Sequence, residues 1–142
     1  MVWLFVNIAF FLANFVVENI SMKYLFIAII AIFIGAPVLL AAGKLKDDNK
    51  AKAYTDVTAY MGVSIFTSVF ISIAIALNAD MSPSIGHGGF IYIIGPSTFG
   101  FAILIFYVAL IPFKPSIKFV AGMIGVAINL FVGLLYYSGF LP

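Results

Sequence analysis

Few residues in this sequence have side chains that could carry out acid–base or metal chemistry. His87 is the only histidine, and it lies in the glycine-rich stretch "SIGHGG", with Asp80 as the nearest acidic residue. One histidine and one carboxylate do not define a metal site, which needs a larger set of ligands. Glu18 is a third candidate, because a carboxylate within or beside a membrane helix often has a function. We retain Glu18, Asp80 and His87 as functional candidates, and we expect His87 to face water or another subunit.

The rest of the composition excludes several kinds of site. The chain contains no cysteine, so it has no disulfide, thiolate metal ligand or cysteine nucleophile. No glycine-rich phosphate loop and no nucleophile-elbow pattern is present. All seven basic residues are lysines, and the net charge is only +2, which argues against nucleic-acid binding. We therefore predict no catalytic residue, no metal site and no cofactor, and we expect that the protein is not an enzyme.

A second group of residues recurs at helical spacing and is small or polar. One stripe contains Ser64, Ser68, Ser72 and Ala76, and a second contains Ala121, Gly125, Asn129 and Gly133. Residues four apart lie on one face of a helix, and small residues there let another helix approach closely. We interpret both stripes as helix-packing or partner interfaces. The alternative is a polar path along Ser64, Ser68, Ser72 and Asn129.

The elements that carry these residues are predicted to be membrane helices. The chain is 65% hydrophobic and 8% charged, whereas soluble domains are about half apolar and about a quarter charged. A helix needs about 20 apolar residues to cross a bilayer. We therefore predict an all-α integral membrane protein that forms a single transmembrane domain over residues 1–142. Its four transmembrane helices are expected at 24–43, 57–78, 90–112 and 119–141.

The first stretch, "MVWLFVNIAFFLANFVVEN", is harder to interpret. Its apolar part of about 16 residues would be about 24 Å long as a helix, which is short for a span. It is either a short fifth transmembrane helix at 2–18 or an interfacial helix, and we favour the transmembrane helix. The sequence from Met22 onward resembles a secretory signal, but we treat 24–43 as a retained helix.

Two of the predicted helices are interrupted by helix-breaking residues: Gly35, Pro37, Gly95 and Pro96. Pro96 lacks an N–H group and is expected to loosen its helix one turn earlier. The hydroxyls of Ser97 and Thr98 are expected to bond some of the freed carbonyls. Paired breaks of this kind can also mark an internal repeat of a transporter.

The lysines predict the orientation of the chain. Lysine-rich short loops remain on the cytoplasmic side of a membrane. The loops at 44–56 and 113–118 contain lysine, whereas the loop at 79–89 contains none. We therefore place loops 44–56 and 113–118 in the cytoplasm, and loop 79–89 and the C-terminus on the outer side.

These features favour a small accessory or structural subunit of a larger integral-membrane complex of the respiratory, redox or metal-oxygenase type. Such a subunit would contribute helix packing rather than catalytic groups. The alternative is a small homo-oligomeric transporter or channel that uses the polar path, and a membrane-embedded enzyme acting on lipid or quinone is a third hypothesis. The expected partners are the lipid bilayer and other membrane subunits.

Overall fold

The computed structural model describes residues 27–79, 89–110 and 112–140. The chain divides into two compact units, Met1–Ile32 and Phe33–Pro142. The packing described below is that of the second unit.

Several sequence predictions lie outside the described residues. They are the fifth helix at 2–18 and the candidates Glu18, Asp80 and His87. The prediction of a single domain over residues 1–142 also stays a prediction.

Four helices make up the described part of the chain, which contains no strand. They are α1 (Ala36–Lys44), α2 (Lys50–Leu77), α3 (Ile91–Ala109) and α4 (Pro115–Tyr137). A π-helical turn, Ala31–Gly35, precedes α1. The turn and α1 both belong to one apolar helical stretch, Ile27–Lys44. With this whole stretch counted for α1, each of the four is long and apolar enough to cross a membrane. The prediction of four long apolar helices is therefore confirmed, and it is compatible with an integral multi-pass membrane protein.

The predicted start of the second helix was wrong by about two turns. α2 begins at Lys50 rather than at residue 57, so only residues 45–49 of the predicted loop 44–56 connect two helices. Asn49 caps the helix, because its Oδ1 accepts a hydrogen bond from the Lys52 N–H at 3.1 Å. Hydropathy located only the apolar part of this helix, whereas its polar first two turns depend on the cap.

Replacing Asn49 with alanine is expected to lower the free energy of unfolding by about 1 kcal/mol, because the cap bond is lost. Thermal unfolding of the purified protein, followed by circular dichroism, measures this change. Asn49→Ser is the matched control, since serine caps a helix about as well as asparagine. Equal stability of Asn49→Ala and the unchanged protein would contradict the assignment of Asn49 as a cap.

The earlier start of α2 places Asp56 inside the helix rather than in the predicted loop. Asp56 lies beyond the first turn of α2, which contains no acidic residue. The Oδ2 atom of Asp56 lies 3.2 Å from the Nζ of Lys44 at the end of α1. Because both side chains are partly exposed, this ion pair joins α1 to α2 but contributes little stability.

The last helix was placed about one turn too late. α4 begins at Pro115 rather than at residue 119 and ends at Tyr137. Proline is well tolerated in the first helical turn, where its missing N–H would be unpaired in any case. Lys118 therefore lies within the helix rather than in the loop predicted at 113–118. α3 is shorter than the predicted 90–112 and ends at Ala109.

The proline of the third helix does not end it. α3 continues through Pro96, whose ring is fully buried. The hydroxyl of Ser97 donates to the Ile93 carbonyl, and that of Thr98 donates to the Ile94 carbonyl at 2.8 Å. Pro96 leaves the Tyr92 carbonyl without its usual N–H partner. The two hydroxyls bond the next two carbonyls along the helix.

α2 is the central helix, and it packs against the other three. Its most extensive contact is with α4, and the two helices run parallel. Their contacts pair Met61 with Gly122, Ser68 with Asn129, and Ser72 with Gly133, so residue numbers rise together along both helices. α3 runs in the opposite direction and packs against α2 where Gly100 meets Val69.

Candidate functional sites in the bundle interior

The two predicted stripes meet each other in the α2–α4 interface. On α2, Ser64, Ser68, Ser72 and Ala76 are all almost completely buried. On α4, Gly125, Asn129 and Gly133 are buried, whereas Ala121 is only half-buried and Gly122 is buried beside it. The stripes are therefore occupied by contacts inside the chain.

Asn129 connects the two helices through hydrogen bonds. Its Nδ2 donates to Ser68 Oγ at 2.8 Å, and it makes a longer contact of 3.4 Å with the Ile65 carbonyl. The Ser68 hydroxyl in turn donates to the Ile65 carbonyl at 2.6 Å. Ser64 takes no part, since its hydroxyl donates to the Tyr60 carbonyl of its own helix. The polar groups of the interface thus bond mainly across or within the two helices.

Two oxygens of this interface have no hydrogen-bond partner among the described residues. They are Asn129 Oδ1 and Ser72 Oγ, both buried. The helices are in close contact at this level, because a Cβ atom added to Gly133 would lie 2.7 Å from the Ser72 carbonyl oxygen. The interface therefore combines tight backbone packing with unused hydrogen-bonding capacity.

Lys118 is the interior residue that the sequence analysis missed. It is fully buried, although it was predicted to lie in a cytoplasmic loop. Its Nζ donates to the Tyr107 carbonyl at 2.8 Å and lies 4.2 Å from the centre of the Tyr107 ring. Tyr107 lies in the last turn of α3, where backbone carbonyls carry partial negative charge. The position of Pro115 as a helix-start signal could have placed Lys118 inside the helix.

The charge of Lys118 is balanced by backbone and ring rather than by a carboxylate. Within the described ranges, Lys44 pairs with Asp56, and no carboxylate pairs with Lys118. A helix C-terminus and the negative face of an aromatic ring both favour a cation. Lys118 therefore caps α3 from α4 and joins these two helices at one end of the bundle.

A cavity of about 330 Å³ lies at the opposite end of the bundle. Its lining includes Asn78, Ala79, Tyr92, Tyr136, Tyr137 and Ser138. The rings of Tyr92 and Tyr136 meet edge to face, with centres 6.0 Å apart and planes at 67°. Both rings are almost completely buried and pack against Ala76 and Val132.

Gly95 makes room for one of these rings. A Cβ atom at this position would collide with the ring and hydroxyl of Tyr136. The glycine that the sequence identified as a helix break therefore permits close contact between α3 and α4. Gly35, by contrast, has no neighbour within 4 Å of such a Cβ atom and ends the π-helical turn before α1. Pro37 is the second residue of α1.

Gly95→Ala is expected to destabilise the protein by about 1–3 kcal/mol, because the added methyl group must displace the Tyr136 ring. In a background that carries Tyr136→Leu, the same change should cost much less. A double-mutant cycle based on thermal unfolding measures this coupling. Costs that simply add would contradict the contact.

No metal site emerges from the described part of the chain, where no three acidic or histidine side chains come together. No protein-family model, no curated protein and no solved structure matches the chain.

Proposed function

We propose that this chain is an integral multi-pass membrane protein that serves as a small accessory subunit of a larger membrane complex, of the respiratory, redox or metal-oxygenase type. One observation carries the proposal. Asn129 on α4 donates a hydrogen bond to Ser68 on α2, so this buried polar pair joins the two helices. Lys118 likewise caps α3. A chain whose interior polar groups act in packing is suited to a structural role.

The outer surface of the helices supports membrane insertion. Leu39, Ile105 and Phe106 expose 73%, 70% and 69% of their surface, respectively. Such residues are stable on the outside of a helix when lipid or another membrane helix covers them. In our proposal, lipid and neighbouring subunits share this surface.

The lysines support the proposed orientation. Five lysines fall at one end of the bundle, where α1 ends and where α2 and α4 begin. They are Lys44, Lys46, Lys50, Lys52 and Lys114. By the positive-inside rule this end faces the cytoplasm. The predicted loops 44–56 and 113–118, shortened as described, are then cytoplasmic. Residues 79–89 and the C-terminus are then on the outer side.

Native electrophoresis tests the proposal. Membranes that contain an affinity-tagged chain are solubilised gently in digitonin and separated on a native gel, and the recovered band is analysed by mass spectrometry. We expect the chain in a complex with other membrane subunits. The matched control uses a harsher detergent, which should release the free chain. Recovery of only monomers or homo-oligomers under the gentle condition would refute the proposal.

One observation favours the alternative of a homo-oligomeric transporter or channel. Asn129 Oδ1 and Ser72 Oγ are buried without partners among the described residues. They could therefore bond a polar solute that moves along the path of Ser64, Ser68, Ser72 and Asn129.

Flux from vesicles tests this alternative. Purified protein is reconstituted, and the permeation of protons, K⁺ and glycerol is measured. The alternative predicts a flux that Asn129→Leu abolishes. Thr67→Leu should leave it unchanged, because the Thr67 hydroxyl bonds the Val63 carbonyl of its own helix. The absence of any flux, or a flux that Asn129→Leu does not alter, would contradict it.

A further inference from the structure

The cavity near Tyr92 and Tyr136 lies where two parallel helices end. Asn78 and Ala79 follow the last turn of α2, and Ser138 follows the last turn of α4. Because the two helices are parallel, their C-terminal ends point in the same direction. Each C-terminus carries about half a negative charge, although N–H and hydroxyl groups of the residues that follow bond most of the last carbonyls. The cavity thus lies in a region of negative potential.

No charged side chain of the described residues lies at this end to neutralise that potential. The last turns of α2 and α4 contain no basic residue. The residues described around the cavity, 72–79, 89–94 and 132–140, include no charged side chain. A cation in the cavity would therefore gain from both helix ends without competing with a lysine of these segments.

The aromatic lining of the cavity suits the same kind of ligand. Tyr137 is 53% exposed and presents its ring to the cavity, whereas Tyr92 and Tyr136, which meet edge to face, are almost completely buried. Aromatic rings attract cations, alkylammonium groups among them, to their faces. Asn78 also lines the cavity, and its Nδ2 donates to the Ala74 carbonyl at 2.7 Å.

The other end of the bundle shows that this chemistry operates in the same chain. There the Lys118 ammonium group donates to a carbonyl in the last turn of α3 and lies against the Tyr107 ring. A tyrosine ring and helix C-termini recur at the cavity, but no lysine lies among the described residues around it.

We propose that the cavity of about 330 Å³ between the C-termini of α2 and α4 binds a small organic cation of the alkylammonium class. A free solute such as choline and the headgroup of a phospholipid both supply this ammonium group. This binding function goes beyond the proposed role as an accessory subunit. The volume is within the range of small-molecule sites.

Calorimetric titration of the purified, delipidated protein in dodecyl maltoside tests the proposal. The protein is titrated with choline chloride and, separately, with 3,3-dimethylbutan-1-ol, which has the same shape without the charge. A third titration with sodium chloride controls for ionic strength. We expect saturable binding of choline and at least about tenfold weaker binding of the neutral analogue. Equal binding of both compounds, or no binding of choline, would overturn the proposal.

Variants locate the binding to the cavity. Tyr137 is 53% exposed, so its replacement should not disturb the core. Tyr137→Leu is expected to weaken choline binding about two- to fivefold, whereas Tyr137→Phe, which retains the ring, should not. Tyr60→Leu on the distant part of α2 is the matched control. Equal binding by Tyr137→Leu and the unchanged protein would count against the cavity.

A lysine introduced at this end should replace the ligand. Ser138 is exposed, and Ser138→Lys places an ammonium group beside the C-terminus of α4, as Lys118 does for α3. We expect this variant to lose choline binding and to unfold at a higher temperature. Unchanged choline affinity in Ser138→Lys would overturn the proposal.

Native mass spectrometry distinguishes the two sources of the ammonium group. If phosphatidylcholine is retained selectively over phosphatidylglycerol, and Ser138→Lys releases it, the source is a lipid headgroup. If no lipid is retained but choline binds, the source is a free solute. Each of these results supports the site.

Discussion

Gly133→Ala is expected to destabilise the protein by about 1–3 kcal/mol, although glycine-to-alanine changes usually stabilise helices. The added Cβ atom would lie 2.7 Å from the Ser72 carbonyl oxygen and 2.9 Å from the Ser72 α-carbon. Both atoms belong to the backbone of α2, so no side-chain rotation can relieve the contact. α2 and α4 must move apart, and the hydrogen bond between Asn129 and Ser68 should weaken with them. Reversible unfolding in mixed micelles at increasing mole fractions of sodium dodecyl sulfate measures the change.

Gly62→Ala is the matched control for this prediction. Gly62 lies on α2, one of the two helices in this contact, but a Cβ atom there has no neighbour within 4 Å. We therefore expect Gly62→Ala to be neutral or to stabilise the protein by up to about 1 kcal/mol. If Gly133→Ala is as stable as Gly62→Ala, the close parallel approach of α2 and α4 is wrong.

Lys118→Glu is expected to have the largest effect of any single charge change, a loss of about 3–5 kcal/mol or failure to fold. The substitution replaces a fully buried ammonium group with a carboxylate beside the Tyr107 carbonyl and the face of its ring. Both of those groups repel an anion. The yield of folded protein after purification, together with its unfolding in sodium dodecyl sulfate, measures the effect.

Two further substitutions show that the effect comes from the buried position. Lys114→Glu changes the same charge one turn earlier, at an exposed residue, and should alter stability by less than about 0.5 kcal/mol. Lys118→Met removes the charge without adding a repulsive one. The protein loses the stability that the cap provides, but it no longer bears the free-energy cost of burying an ion. Its stability should fall between those of Lys114→Glu and Lys118→Glu. Similar stability of Lys118→Glu and Lys114→Glu would contradict the burial of Lys118.

Hydropathy and spacing predicted the four helices and the faces of α2 and α4 that carry the small residues. These features follow from local sequence, because a long apolar run must satisfy its backbone as a helix and small residues four apart share one face. The helix ends were predicted less well, since they depend on Asn49 and Pro115 rather than on hydropathy. Both signals were present in the sequence.

The pairing of the stripes could not be read from the sequence. Spacing alone allowed the serines of α2 to face a partner, a polar path or another helix of the chain. The structure pairs Ser68 with Asn129 and Ser72 with Gly133 because α2 and α4 run parallel with a constant offset in residue number. That offset is a property of two helices together and is encoded in neither one.

Local sequence is enough to specify long apolar helices with small-residue faces, because composition and periodicity act within each segment. The positions of the unusual interior groups depend instead on how the helices pack. Packing buries Lys118 against the end of α3, and it brings Tyr92 and Tyr136 together where α2 and α4 end. The physical reason is that the partners of a buried cation or ring are distant in sequence, so they meet only when the helices come into contact.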